Sequence, residues 1–487
     1  MKKSTRTFLF FLFAILFLAI TPAVVGYSQG YRVDWQNIAI VQTGALFLEP
    51  RPAPVEVYLN SEFIKRSSFV FQNIFLGNLL PKNYRVEIKK EGYSPWQKNL
   101  AVSPKLVSEA KNITLFPLPD TNKINKISSN LKNFFPSPSG KDFIFLKNTP
   151  VPEMSLYSLN DQREILALNA PSDFAGYTIG DIQWNRDSSN IIFPLEMGSR
   201  KKWIFADPAS ATLKSVDLSQ GIMASENFKK LTKKLYRPTI DDLRWNPNNP
   251  REIFFIASDN STERLLFSYN IGNAALSKPL AYDVLGYSPE KDKILYVSST
   301  LYGINSLDLN TGQINQVSLE PVSQSAMSAD ITFITTQKDI YSIYRLDKDL
   351  YILNPKNWSL EKISTDVEKT IVADDHKKIL LVKKNELAVY WLEDIRTQPF
   401  RAAGDYEQII NTDEQTIGDA VWFSKNNEYV VFSMGDSINA TELDGRDNRN
   451  TSVLVSSTAK KIFREGKNEV IYFLDNDTMY SLSLKYK

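Results

Sequence analysis

From residue 120 onward, apolar and polar positions follow one recurring pattern. An apolar or aromatic anchor precedes a polar turn of about seven residues, and three consecutive apolar or aromatic residues follow. "DIQWNRDSSNIIF" (181–193), "DLRWNPNNPREIFF" (242–255) and "DAVWFSKNNEYVVF" (419–432) are clear copies. Phe135 leads in this way to 143–145, Trp184 to 191–193, Trp245 to 253–255 and Gly286 to 294–296. Ile371 leads to 379–381, Trp422 to 430–432 and Ile462 to 470–472, and a weaker eighth copy starts near Ser323 and leads to Ile331. From Phe135 to Ile462 the seven intervals average about 47 residues, the period of a four-stranded propeller blade.

The anchor ends a first strand, the turn makes a hairpin, and the triplet is a buried second strand. "LYSLNDQREILAL" (156–168), "INSLDLNTGQINQVSL" (304–319) and "LYILNPKNWSLEKIS" (350–364) supply third and fourth strands joined by turn residues. The last copy ends at "MYSLSLKYK" (479–487), one strand short, whereas "DTNKINKISSN" (120–130) reads as a fourth strand with no blade of its own. Residues 120–130 are therefore expected to complete the last blade and remove an open edge. The expected fold is all-β: an eight-bladed β-propeller over 120–487, with seven blades as the alternative. "PSPSGKDFIF" (136–145) and "YSPEKDKILY" (287–296) resemble the repeat of TolB-type, WD-repeat-like propellers, a resemblance that covers about 125–487 and implies fold rather than function.

Residues 43–118 alternate with a period of two in short runs broken by Pro-rich turns, the pattern of a small β-sandwich. Val86 and Ile88 fall on one face and Arg85 and Glu87 on the other, and Gly92 marks a turn. The segments "TG" (43–44), "RPAPVEVYLN" (51–60), "LPKNYRVEI" (80–88) and "KKEGYSPW" (89–96) resemble a PEGA domain, a β-module of bacterial envelope proteins. Gly44, Pro52, Tyr58, Asn60, Pro81, Tyr84, Gly92, Tyr93 and Trp96 carry that resemblance. Pro54, Val55 and Ser61 depart from it, and "RSS" (66–68) stands where a Gly-Thr-Pro turn is usual. The resemblance implies an envelope location and a structural or binding role.

Residues 8–27 are apolar and uncharged, and twenty helical residues rise about 30 Å, enough to cross a membrane. Lys2, Lys3 and Arg6 in the basic tail 1–7 place the N-terminus in the cytoplasm and the remainder outside. A cleaved signal peptide is the competing reading; "TPAVVG" offers no clear small-x-small site. Residues 28–42 are expected to be a linker.

Composition narrows the chemistry. Lys and Arg number 57 against 55 Asp and Glu, without the basic surplus of a nucleic-acid binder. The chain has no cysteine, which excludes disulfides, thiolate metal sites and a cysteine nucleophile, and its one histidine, His376, lies in a predicted polar surface turn. No G-x-S-x-G elbow is present. Trp184, Trp245 and Trp422 recur at equivalent positions and are expected to pack between blades rather than stack a ligand. Asp181, Asp242 and Asp419 each precede a tryptophan by three residues; a cation-binding ring is weighed against ordinary turn and backbone hydrogen bonding, which is preferred. "DGRDNRN" (444–450) and "DNDT" (475–478) read as plain turns, without calcium-loop spacing. No catalytic, metal or cofactor site is expected.

The sequence thus predicts a membrane-anchored envelope protein whose propeller binds a protein, peptide or cell-wall glycan. The insertion 220–241 is expected to pack as a helical cap and is the first place to seek a partner site. A glycan lyase or hydrolase using channel carboxylates is the alternative, and a sensor with a cytoplasmic output partner ranks third.

Overall fold

The computed structural model describes the chain except residues 1–2, 36, 71, 170–175, 210–214, 260–262, 301–302, 319–331, 336–341, 347, 354–358, 424–426, 466–468 and 485–487. Helix α1 (Lys3–Ser28) contains the apolar run; within Thr5–Ser28 its most apolar 18-residue stretch has a mean hydropathy of 2.8 and is not buried inside the protein. Residues 28–42 are not an extended linker. Gly30, at φ 85°, turns the chain into a hairpin in which Tyr31–Asp34 pairs antiparallel with Ala39–Gln42.

Two sheets follow and share one core. Ile74–Leu79, Gly44–Arg51 and Val107–Thr114 form a three-stranded sheet. Glu62–Arg66, Glu56–Leu59, Asn83–Lys89 and Trp96–Ala101 form a four-stranded one. Leu46, Leu48 and Ile113 of the first sheet meet Val57, Val86, Ile88 and Trp96 of the second. Glu87, on the strand face opposite Val86 and Ile88, is buried, with Arg85 at 2.8 Å and Lys89 at 2.7 Å on its carboxylate.

Beyond residue 122 the described strands form eight antiparallel sheets, numbered here in chain order. Their second strands are Asp142–Lys147, Ile191–Met197, Asn249–Ser258, Lys293–Ser298, Ser342–Leu346, Lys378–Val382, Tyr429–Met434 and Val470–Asp475. In sheet 8, Lys123–Ser128 pairs antiparallel with Thr478–Ser483, so the first strand of the array completes its last sheet. Chain order, four-strand meanders and this terminal pairing make the domain a β-propeller.

The triplets explain why the sheets need one another. Successive side chains on a strand point to opposite faces. Ile191 and Phe193 join the core shared with sheet 1, while Ile192 joins the core shared with sheet 3. Ile253 and Phe255 likewise face sheet 2 and Phe254 faces sheet 4; Val430 and Phe432 face sheet 6 and Val431 faces sheet 8. Phe143 and Phe145 of sheet 1 pack against Tyr472 and Met479 of sheet 8, so the succession of cores returns to its start.

One expected register is corrected. In sheet 8, Ile471 and Phe473 face the preceding sheet and Tyr472 faces the next, so its triplet is 471–473 rather than 470–472. In sheet 5 the expected start at Ser323 and Ile331 lies outside the described residues; among those described, Thr332–Thr335 pairs with Ser342–Leu346.

Strand pairing also separates the anchors. Trp184, Trp245 and Trp422 each sit opposite the first triplet residue, Ile191, Ile253 and Val430 respectively. Phe135 and Ile371 lie opposite the middle residue, Ile462 lies opposite the last residue of its corrected triplet, Phe473, and Gly286 lies beyond its triplet, because the hairpins differ in length. Each tryptophan donates its indole N–H to a backbone carbonyl of the preceding sheet: Trp184 to Phe135 (3.2 Å), Trp245 to Gln183 (3.2 Å) and Trp422 to Ile371 (2.9 Å). Sheet 8 places Arg464 at the equivalent position, opposite Ile471, and its guanidinium donates to Trp422 O at 3.1 Å.

Trp245→Phe keeps an aromatic ring and deletes this bond. It should lower stability by about 1–3 kcal/mol in denaturant unfolding, the cost of an unpaired buried carbonyl. Trp35→Phe, at an exposed position, should leave the transition unchanged.

Candidate functional site

The strand Trp96–Ala101 alternates between inward and outward residues, and Trp96, Lys98 and Leu100 point inward. Trp96 and Leu100 suit a core; a lysine at 0% exposure requires partners. They come from sheet 7. The Lys98 ammonium lies 2.7 Å from Glu442 Oε1 and donates to the carbonyls of Asp444 (2.7 Å), Arg446 (2.9 Å) and Asn448 (3.0 Å). Trp96 Nε1 donates to Glu442 Oε2 at 2.8 Å. Asn450 donates to Glu442 Oε1 from its backbone N–H (2.9 Å) and from Nδ2 (2.7 Å). A buried ion pair with this many further hydrogen bonds offsets most of its desolvation cost.

The segment 444–450 is thus a docking loop, not a plain turn. Asp447 adopts φ 57°, and a side chain on Gly445 would lie 2.6 Å from Glu407 Oε1. Arg446 pairs with Asp444 at 2.6 Å, and Arg401 and Arg449 both bind Glu407.

The loop also caps an open edge. Trp96–Ala101 is the last strand of its sheet, and an unpaired edge invites association. Asn450 accepts from Gln97 N and donates to Gln97 O, both at 3.1 Å, and Asp447 accepts from Asn99 N at 2.9 Å. The edge of the three-stranded sheet is treated alike. Gln398 accepts from Glu109 N (3.0 Å) and donates to Val107 O (3.1 Å), and Arg446 donates to Glu109 O (2.8 Å). Tyr429 Oη accepts from Thr114 N at 2.9 Å, and Phe116 packs edge-on against the Tyr429 ring at 5.4 Å.

Charge follows from this packing. Burial disfavours ionised Asp444, but the Arg446 hydrogen bonds and the Lys98 charge outweigh it and hold the carboxyl below its ordinary value. Asp447 is lowered chiefly by the Asn99 N–H. Beside the junction a charged cleft of ≈ 820 Å³ opens to solvent, lined by Glu49 and Lys111 of the sandwich and by Lys377, Asp394, Arg396 and Glu428 of the propeller.

The residues singled out in the sequence do not converge on one site. Asp419 binds Lys369 at 2.6 Å and accepts from Ile462 N at 2.9 Å, tying sheets 6, 7 and 8 together; Asp242 binds Arg244 at 2.8 Å. Lys461 reaches Asn133 Oδ1 (2.8 Å) and Phe134 O (2.6 Å) across to sheet 1. Burial pushes its ammonium down to about 8 against the attraction of Asp181 and Asp419. No group of three or more His, Asp or Glu placed to hold a metal occurs among the described residues. His376 is half-buried in its turn at φ 55°, with Nδ1 shielded from solvent. In the sandwich, Asn60 sits at φ 51° and bonds Arg85 N at 3.0 Å, Tyr84 Oη donates to Leu80 O at 3.1 Å, and Gly92 turns at φ 79°.

Lys98, Glu442, Asn450 and Gln398 escaped sequence reasoning. The one visible signal was a lysine in phase with Trp96 and Leu100 in "WQKNLA".

No known family profile matches the chain, and no curated protein matches it. Among solved structures, the Cps50 (Swd1) β-propeller domain of Myceliophteria thermophila is 11% identical over 75% of this chain and 100% of its own, with a TM-score of 0.45. The C-terminal WD40 domain of Sif2 is 11% identical over 74% and 99%, with a TM-score of 0.47. Dihydro-heme d1 dehydrogenase NirN, in complex with DHE, is 13% identical over 76% and 71%, with a TM-score of 0.43.

Lys98→Met leaves Glu442 buried without its cation and should cost about 3–5 kcal/mol; adding Glu442→Gln should recover part of the loss, read as a double-mutant cycle. Hydrogen exchange at Gln97 and Asn99 should quicken in the single variant. Because the Asp444 and Asp447 carboxyls are lowered in the fold, their contribution is complete above the unfolded value of about 3.9 and is lost as pH falls through the lower folded values. Protection factors at the same two amides, taken against the intrinsic exchange rate at each pH, should therefore fall below about pH 4 and hold between pH 5 and 8.

Proposed function

We propose that this chain is a membrane-anchored, extracytoplasmic binding and scaffold protein of the bacterial cell envelope. Residues 8–27 anchor it, a PEGA-like sandwich over 43–118 forms the mount, and an eight-bladed propeller closed by 120–130 presents a rim to a protein, peptide or cell-wall glycan. The observation that carries this reading is the Lys98–Glu442 junction. One edge of each sheet of the membrane-side module is capped by propeller side chains, which favours a mount of fixed orientation over a hinged one. The apolar surface of α1 and the basic residues Lys2, Lys3 and Arg6 support the anchor.

The rim supplies exposed aromatic contacts. Tyr236 and Tyr282 precede the first strands of sheets 3 and 4, beside the ends of their second strands at Ser258 and Ser298. They therefore stand on the same rim, 76% and 61% exposed. Tyrosine contributes large contact area with a polar tip, which suits a binding surface. A lyase or hydrolase using channel carboxylates is the alternative reading; Asp181 and Asp419, which both attract Lys461, are the acids it would draw on.

The cysteine-free chain permits a direct test. In intact spheroplasts a membrane-impermeant maleimide should label Thr311→Cys, at an exposed turn, and should label Ser4→Cys only after permeabilisation. The reverse pattern would overturn the topology. A photo-reactive residue at Tyr236 or Tyr282 should give a discrete adduct in cells. Absence of any adduct, with no retention of the full chain on purified cell wall, would overturn the binding role.

A further inference from the structure

The hairpin that follows α1 is built inside out. Tyr31, Val33 and Trp35 share one phase of its first strand, and Val33 lies directly opposite Ile40. These side chains and Ile38 are exposed, Trp35 at 82%, Ile38 at 88% and Ile40 at 72%. The other phase holds Arg32, whose guanidinium stacks on the Tyr27 ring at 3.5 Å and donates to Tyr27 O (2.8 Å), Tyr31 O (2.8 Å) and Asn78 Oδ1 (2.9 Å). Polar groups are thus turned toward the protein and apolar groups away from it. Ile38 also adopts φ 47°, an unusual conformation for a β-branched residue. A lone two-stranded hairpin is marginal in water, and an apolar face of this kind needs a cover.

Position identifies the cover. Only Gln29 and Gly30 separate the hairpin from α1, and Thr43 closes its base by donating N–H and Oγ1–H to Gly30 O, both at 2.9 Å. The exposed apolar surface of α1 is therefore continuous with the outward face of the hairpin. The adjoining end of the sandwich presents exposed Leu106 and two exposed lysines: Lys105, whose N–H bonds Thr43 O, and Lys82, whose O accepts from Val102 N. Basic groups flanking an apolar face complement anionic lipid headgroups.

We propose that the hairpin 31–42 is an interfacial foot, with Trp35, Ile38 and Ile40 seated at the headgroup–acyl boundary of the bilayer that α1 crosses. The inference rests on the membrane-anchor reading above. Aromatic and aliphatic side chains at this depth would fix the tilt and rotation of the emerging helix, which a free helix end leaves open.

The test uses the full chain in vesicles of phosphatidylethanolamine and phosphatidylglycerol. A nitrobenzoxadiazole label on Ile38→Cys should be quenched about twofold by lipid bearing a nitroxide near the headgroup, and protected from iodide, since interfacial faces sit ~5–10 Å deep. A label on Thr311→Cys should show the opposite, and one on Phe17→Cys should be quenched by a deep nitroxide. Quenching at Phe17 with an unquenched, iodide-accessible Ile38 label overturns the foot and leaves the anchor standing. An Ile38 label protected from iodide but blind to lipid nitroxide also overturns it, because protein then covers the face. No quenching at either position overturns the anchor and the foot together.

Discussion

A strand buried on both faces cannot be satisfied by one neighbour. The second strand of each described triplet, such as Ile191, Ile192 and Phe193, sends alternate side chains into two different cores. Every sheet is therefore a layer between two others, and an open row would end in exposed apolar faces. Burying both ends requires the last sheet to meet the first, as Tyr472 and Met479 do against Phe143 and Phe145. The same requirement draws Lys123–Ser128 onto Thr478–Ser483.

That closure fixes where the sandwich stands. A chain that must enter sheet 8 at Lys123 has only a few residues in which to leave the module, so Phe116, directly after the module's last core residue Leu115, lands in the core between sheets 7 and 8. The adjacent sheet 7 then faces the strand Trp96–Ala101, and the loop 444–450 is long enough to wrap its edge. An apolar residue at position 98 would have cost less to bury. A lysine surrounded by one carboxylate and three carbonyls accepts only one placement, so the ion pair gives orientation more than stability.

Legibility of the sequence tracked whether a segment has a phase. "DLRWNPNNPREIFF" has a tryptophan, a defined turn and a bounded triplet, and its pairing follows directly. "VIYFL" (470–474) is apolar throughout, so nothing in it distinguishes one face from the other, and a one-residue slip resulted. Arg464 was invisible as an equivalent of the tryptophans because it shares only a donor group with them, not their hydrophobicity. The junction was hidden for a different reason. Lys98 and Glu442 are 344 positions apart, and periodicity carries no information about pairs that distant (442 − 98 = 344). The hairpin 31–42 had a readable alternation, but a strand pattern does not say which face meets water.

The insertion 220–241 shows what this architecture leaves for recognition. Its helices α2 (Leu218–Ala224) and α3 (Glu226–Leu231) do not stand clear of the disc. Ile222 and Phe228 enter the core shared by sheets 2 and 3, and Phe228 packs near the rings of Phe255 and Phe267 at 6.4 and 6.1 Å. Ile222 and Phe228 are spent on that core and are not free to meet a partner, and removing them would open it. Under the proposed binding role, the surface left for a partner is what the cores do not use, such as Tyr236 near the end of the insertion and Tyr282 one sheet further on. Those tyrosines can be exposed without destabilising the disc because the cores between sheets carry its stability, while the charged junction holds the disc in one orientation on its mount.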